Sequence, residues 1–195
     1  NSLDLNTNKF IHIITWPNMW WKSTFLRQNA LIILLAHIGS YVPAKSANIP
    51  ITDKIFSRIW ANDNLFLGES TFMVEMQEVA NILNNSTKNS FVIIDEVGRW
   101  TSTYDGMSLA WAILKENHDN IKSKTLFATH YLEMTSLNES FKNIVNFHVS
   151  AIDQGDDIVF THLIENGPAS KSYGIHVAEL AGLHPQVLSC AKQKL

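Results

Sequence analysis

Lys22, Ser23 and Thr24 stand together behind a loop that begins at Trp16. Asp95 and Glu96 close one apolar run, and His130 closes another. A lysine beside hydroxyls can neutralise phosphate and ligate Mg²⁺. An acid pair downstream can hold the metal and orient water, and a polar group can meet the terminal phosphate. Together these are the parts that nucleoside-triphosphate hydrolysis needs. In that scheme Asp95 reaches the metal, Glu96 orients or deprotonates the attacking water, and His130 contacts the γ-phosphate side. His130 could equally be a surface histidine. The phosphate-loop rule asks for Gly, four residues, Gly, Lys, then Ser or Thr. Trp16-Pro17-Asn18-Met19-Trp20-Trp21-Lys22-Ser23 keeps the spacing, the lysine and the serine, with Trp at both glycine positions. Glycine there allows positive φ and close approach of the backbone to phosphate. Indoles do not, so the loop taken literally is blocked.

The elements that must position these groups read as an alternation of strands and helices. Phe10 to Thr15 is an apolar strand entering the loop, and a helix is expected from Thr24 to about Ser40, with Gly39 at its C-terminus. A second strand is expected over Lys54 to Ile59. Ser70 is an N-cap for the periodic run that starts at Phe72. The same position is also a ready anion site, and residue type alone favours the cap. Phe91 to Ile94 reads as a buried parallel strand that delivers Asp95 and Glu96 at its C-terminal edge, where ligands of open α/β sheets bind. Gly98 to Gly106 reads as loop, Met107 to Asn117 as helix, and Thr125 to His130 as another strand. Phe147–Ile152 and Ile158–Leu163 flank a Gly-containing turn and predict a hairpin. Ile175 to Ala181 and the run from Pro185 to Leu195 predict two final helices.

The bulk numbers suit one soluble domain: 195 residues, 46% hydrophobic and 17% charged. A net charge of -3 argues against a strongly basic nucleic-acid grip within this stretch. Cys190 is the single cysteine, so no disulfide framework is possible and a reducing compartment fits. No apolar run is long enough to cross a membrane. The chain opens at Asn1 almost directly onto the loop strand and reads as a fragment of something longer.

Several blocks resemble the ATPase domain of the MutS family of DNA mismatch-repair proteins. They are Thr15 to Gln28, Ser70 to Met76, Asp95 to Arg99, Thr101 to Gly106, Phe127 to Tyr131, and Ala169 to Ala178. The resemblance covers nearly the whole chain, in order. It implies a three-layer α/β P-loop NTPase of ABC type, with a mainly parallel sheet, a small β-hairpin and C-terminal dimerisation helices. Residues 1–9 would be a linker from upstream domains, 10–180 the ATPase domain, and 181–195 the start of the dimerisation region. Trp16 to Thr24 resembles the Walker A loop, including Pro17, Asn18, Met19, Trp20 and Trp21, with Lys22 and Ser23 in their usual roles. Asp95 and Glu96 match the Walker B acids, and His130 the switch histidine. Ser70 matches the signature serine that reaches the γ-phosphate held by the opposite subunit, so cap and trans contact coexist. Arg99 to Asp105 resembles the loop that crosses the dimer interface. His184-Pro185 departs slightly from the family near Leu183. The implied cofactors are ATP and Mg²⁺, with Ser23 and Asp95 as metal ligands. The implied partners are a second copy of the chain, mismatched duplex DNA held by domains outside this stretch, and a downstream repair factor, in the cytoplasm and without a membrane. Two alternatives stand beside this reading. One is a MutS-like protein of recombination, and the other a non-hydrolysing dimerisation module built on the literal loop.

The departures from the family are of one kind. Of six tryptophans, Trp111 stands where the family has Trp; Trp16, Trp20, Trp21, Trp60 and Trp100 stand where it has Gly. Drift would not choose Trp each time, and selection for a dead enzyme would not keep Lys22, Ser23, Asp95, Glu96 and His130. The pattern fits UGA codons that one genetic code reads as Gly and another as Trp.

Overall fold

The computed structural model describes residues 1–15, 21–59, 70–154, 157–169 and 173–195. In chain order its elements are β1 (Ile11–Thr15), α1 (Trp21–His37), β2 (Ile55–Arg58), α2 (Thr71–Asn85), β3 (Phe91–Asp95) and α3 (Thr103–Glu116). They continue with β4 (Lys124–Thr129), α4 (Leu137–Ser140), β5 (Ile144–Gln154), β6 (Asp157–Asn166), α5 (Gly174–Leu180) and α6 (Pro185–Lys194). A π-helical turn over Asn117–Ile121 follows α3, and a 3₁₀ turn over Leu132–Ser136 precedes α4.

One six-stranded sheet runs in the order β2-β3-β4-β1-β5-β6. Every pairing is parallel except the last, β5 with β6. β1, β3 and β4 are buried almost throughout because helices cover both faces of the sheet, and Phe91 to Ile94 of β3 form a continuous apolar run. Val92 and Ile94 point into a core with Val79, Ile82, Ala110 and Ile113, from α2 and α3. Phe91 and Ile93 face the other way, onto Phe25 and Leu26 of α1. The period-2 alternation of a strand is what divides these neighbours between the two layers. Register then sets the site. Thr15 is opposite Thr129 and Asp95 is opposite Ala128, so β1, β3 and β4 end side by side.

Several expected boundaries are corrected. α1 begins at Trp21, so Lys22, Ser23 and Thr24 occupy its first turn and not the loop before it. It ends at His37, and Gly39 just beyond takes φ 74°. α3 begins at Thr103, four residues ahead of the Met107 expected from periodicity. Ser102 caps it: Oγ accepts from the Asp105 N–H at 3.3 Å and donates to Asp105 Oδ2 at 2.8 Å. Gly106, which reads as loop because glycine disfavours helix interiors, is there for close approach. A Cβ on Gly106 would lie 2.2 Å from the carbonyl oxygen of Gly98. The hairpin is not a separate small unit either. Ile144 to His148 of β5 pair in parallel with Ile11 to Thr15, and from Phe147 onward the strand also forms the antiparallel ladder with β6. β4 stops at Thr129, which leaves His130 just past the strand end.

Candidate functional site

Strand ends and one helix start bring the separated groups together. β3 carries Asp95 as its last residue and Glu96 immediately after. α1 presents Lys22 and Ser23 from its first turn. Ser23 Oγ donates to Asp95 Oδ2 at 2.7 Å, and Lys22 Nζ donates to Glu96 Oε1. Arg99 Nη1 donates to Glu96 Oε2 at 2.8 Å. Lys22, Asp95 and Glu96 are all buried, so these are low-dielectric contacts, stronger than surface pairs.

Glu96 takes φ 54°, a left-handed conformation rare for a side chain of this size. Such a conformation costs on the order of 1–3 kcal/mol and persists only where the surroundings over-determine it, commonly at functional sites. Here the Glu96 N–H donates to the Ala128 carbonyl at 2.9 Å, while Lys22 and Arg99 hold its carboxylate.

The two adjacent acids are tuned in opposite directions. Burial alone would raise the pKa of Glu96, but the charges and hydrogen bonds of Lys22 and Arg99 outweigh it and bring it below the ordinary value. Asp95 is raised by burial, which the Ser23 hydrogen bond and the Lys22 charge only partly offset. Its Oδ1 is buried without a hydrogen-bond partner. An orphaned carboxylate oxygen beside a serine hydroxyl fits a hard divalent cation. Among the described residues no cluster of three or more His, Cys, Asp or Glu could hold a metal. One carboxylate and one hydroxyl are a sparse set of oxygen donors, of the kind that hard divalent cations complete with phosphate oxygens and water.

A raised acid pKa means that ionised Asp95 weakens the fold. The penalty is absent below the unfolded value near 3.8 and grows as pH rises through the folded value. Asp95→Asn is therefore expected to raise stability, and with it Tm, at neutral pH. The gain should vanish near pH 3. Thermal melts at the two pH values check it, and a lower Tm at pH 7 would contradict the account.

The other predicted residues divide clearly. His130 sits at the end of β4, close enough to Glu96 and Lys22 to feel their charges; desolvation lowers its pKa although the residue is exposed, and Glu96 opposes that shift. Thr24 is exposed in the first turn of α1. Ser70 is not in this cluster. It is the exposed N-cap of α2, with Oγ accepting from the Met73 N–H at 3.2 Å. Trp16, Pro17, Asn18, Met19 and Trp20 lie outside the described residues, as does Trp60; of Trp21 only its place in α1 is described.

Motif reading missed the supports of the acid loop. Glu75 Oε2 accepts from the Gly98 N–H, and Tyr131 Oη donates to the Gly98 carbonyl at 3.0 Å. Arg58 Nη2 lies 3.6 Å from Glu75 Oε1. One signal was available: Glu75 shares the buried face of α2 with Val79 and Ile82, where an acid is out of pattern.

Comparison with known proteins identifies the family. The family profile described as MutS domain V matches residues 12–195. The DNA mismatch repair protein MutS of Persephonella marina (strain DSM 14350 / EX-H1) is 52% identical over 195 residues, which is all of this chain and 22% of that protein. The chain thus spans about a fifth of the length of the relative it matches. Among the described residues no helix is long and apolar enough to cross a membrane. With its lysine, serine and acid pair converging at one sheet edge, this chain belongs to the MutS domain V family.

Proposed function

We propose that this chain is the ATPase part of a DNA mismatch-repair protein, built as a three-layer, ABC-type P-loop domain. ATP binding and hydrolysis would switch a mismatch-binding dimer between states, with the duplex held by domains outside this chain. The observation that carries the reading is the convergence of Lys22 on Glu96 and Ser23 on Asp95, across 74 and 72 residues of sequence, in a member of this family.

Each residue then has a role, supported by position for the described residues and by sequence order for residues 16–20. Residues 16–24 cradle the phosphates, and Lys22 neutralises the terminal ones. Ser23 and Asp95 would hold Mg²⁺, which would stabilise charge on the phosphate oxygens. Glu96, kept ionised by Lys22 and Arg99, orients or deprotonates the attacking water. His130, neutral at physiological pH, donates toward the γ-phosphate side. Ser70, exposed at a helix N-terminus, reaches the nucleotide of the opposite subunit. The ATPase unit spans 10–180 after a linker over 1–9, and 181–195 begins the dimerisation region. Leu183 and Val187 are about half exposed there, as an unpaired interface would leave them. A cytoplasmic protein acting with a downstream repair factor fits this role. The five tryptophans at family glycine positions are read as UGA-encoded glycines.

The test is ATP turnover by the full-length protein with matched and mismatched duplexes. Mg²⁺-dependent hydrolysis whose rate changes several-fold on a mismatch is expected. A response confined to branched DNA would favour the recombination reading, and failure to bind ATP would leave only the dimerisation module.

A further inference from the structure

Glu75 is a carboxylate with only 1% of its surface exposed, on a helix that the proposed chemistry uses only at its first residues. Burying an acid is costly unless it is paired and hydrogen-bonded. Glu75 has both kinds of partner. Arg58 of β2, itself buried, lies 3.6 Å from Oε1 and also pairs with Glu78 at 2.9 Å. The Gly98 N–H donates to Oε2 at 3.3 Å.

Gly98 is the second residue after Glu96, with fully buried Val97 between them. Three elements hold it. α2 takes its N–H through Glu75, and Tyr131, after β4, takes its carbonyl at 3.0 Å. α3 closes on its Cα: a Cβ at Gly98, where φ is 85°, would lie 2.6 Å from the Gly106 carbonyl oxygen. The backbone on the far side of Glu96 is thereby fixed, and the left-handed conformation of Glu96 needs such fixing.

We propose that Glu75 is a positioning residue for Glu96. By holding the Gly98 N–H it sets the backbone that aims the Glu96 carboxylate. It also ties α2, the helix capped by Ser70, to the acid loop, so a shift of α2 reaches Glu96 through one buried carboxylate. This rests on the reading of Glu96 as the group that orients water.

The experiment compares Glu75→Ala and Glu75→Gln in the full-length protein. Glutamine keeps an oxygen that can accept from the Gly98 N–H, whereas alanine has none. For Glu75→Ala, kcat for ATP is expected to fall roughly 10- to 100-fold with KM within about 2-fold, since a misplacement of 1 Å can cost about 10²-fold. Glu75→Gln should recover most of kcat. Independently of turnover, amide hydrogen exchange at Gly98 should quicken in Glu75→Ala but not in Glu75→Gln, with β1 and β4 amides still protected. Unchanged exchange at Gly98 in Glu75→Ala overturns the proposal, and so does equal loss of kcat in both variants. Should Glu75→Ala not fold, the pair Arg58→Met with Glu75→Leu removes both charges together and allows the same comparison. A parent without ATP turnover would refute the ATPase reading, while exchange at Gly98 would still decide the contact.

Discussion

Trp16→Gly, Trp20→Gly and Trp21→Gly made together are expected to tighten ATP binding at least ~10²-fold over the chain as written, close to 3 kcal/mol. The phosphate cradle is made of backbone amides, which must approach the anion and adopt positive φ. A left-handed conformation costs a non-glycine residue about 1–2 kcal/mol, and an indole also fills space that phosphate needs. The remainder of the site is intact: Lys22 and Ser23 are presented by the first turn of α1, with Asp95 and Glu96 against them. Isothermal titration with a non-hydrolysable ATP analogue compares the two chains directly. Equal affinity would sink both this physical account of the loop and the reading of the tryptophans as misread glycines. The gene provides a second check, with UGA expected at codons 16, 20, 21, 60 and 100 and UGG at Trp111. Protein from the native host should be lighter by five Trp-to-Gly differences.

Glu96→Gln, in the chain that binds ATP, is expected to keep nucleotide binding and lose roughly 10²–10³-fold in turnover. Glutamine occupies the same space but can neither take a proton from water nor orient it as a carboxylate does. The substitution also has a thermodynamic signature. Lys22 is buried, and Glu96 is its partner in the fold. Removing that charge takes away the direct partner of Lys22, at a cost of up to about 3–5 kcal/mol for a fully buried pair, less here because the Asp95 carboxylate also interacts with the Lys22 charge. ATP phosphates can replace the lost charge, so saturating ATP should raise Tm more in Glu96→Gln than in the parent. The pH dependence follows from the sign of the shift. The folded pKa of Glu96 lies below its ordinary value near 4.5, so the pair stabilises fully above that pH. Its contribution is lost as pH falls through the folded value, and Glu96→Gln should show no such acid limb. Stopped-flow turnover and melts across pH check both halves; a variant with parental turnover would remove Glu96 from the mechanism.

How much of this was legible in the chain can be judged element by element. Phe91-Val92-Ile93-Ile94 announced a buried strand, because helices on both faces demand a continuous apolar run. Lys22-Ser23 and Asp95-Glu96 stood out as a candidate phosphate and metal site by type and spacing, even with tryptophan in the glycine positions, and the fold brings these side chains together. The cap at Ser70 was legible because capping is local, settled by Oγ and the Met73 amide three residues on. The α3 start was not. Gly106 counts against a helix when taken alone, and only its approach to Gly98 explains why it sits in one. The first half of β5 was missed because Ile144-Val145-Asn146 offers little alternation by itself and becomes a strand by lying along β1.

The site divides in the same way. Residue identity and order were enough to name Lys22, Ser23, Asp95 and Glu96, because those chemistries need those functional groups wherever the chain runs. Which oxygen meets which donor was decided by the register of β1, β3 and β4, since side chains more than 70 positions apart are neighbours only once the strands are paired. The opposite pKa shifts of Asp95 and Glu96, adjacent in sequence, have the same origin. Burial and the two cations act on each carboxylate by distance, and distance is a property of the tertiary structure alone. Glu75 is the clearest case: as a letter it is one more acid on a helix, and its hold on Gly98 exists only because α2 packs against the loop that follows β3.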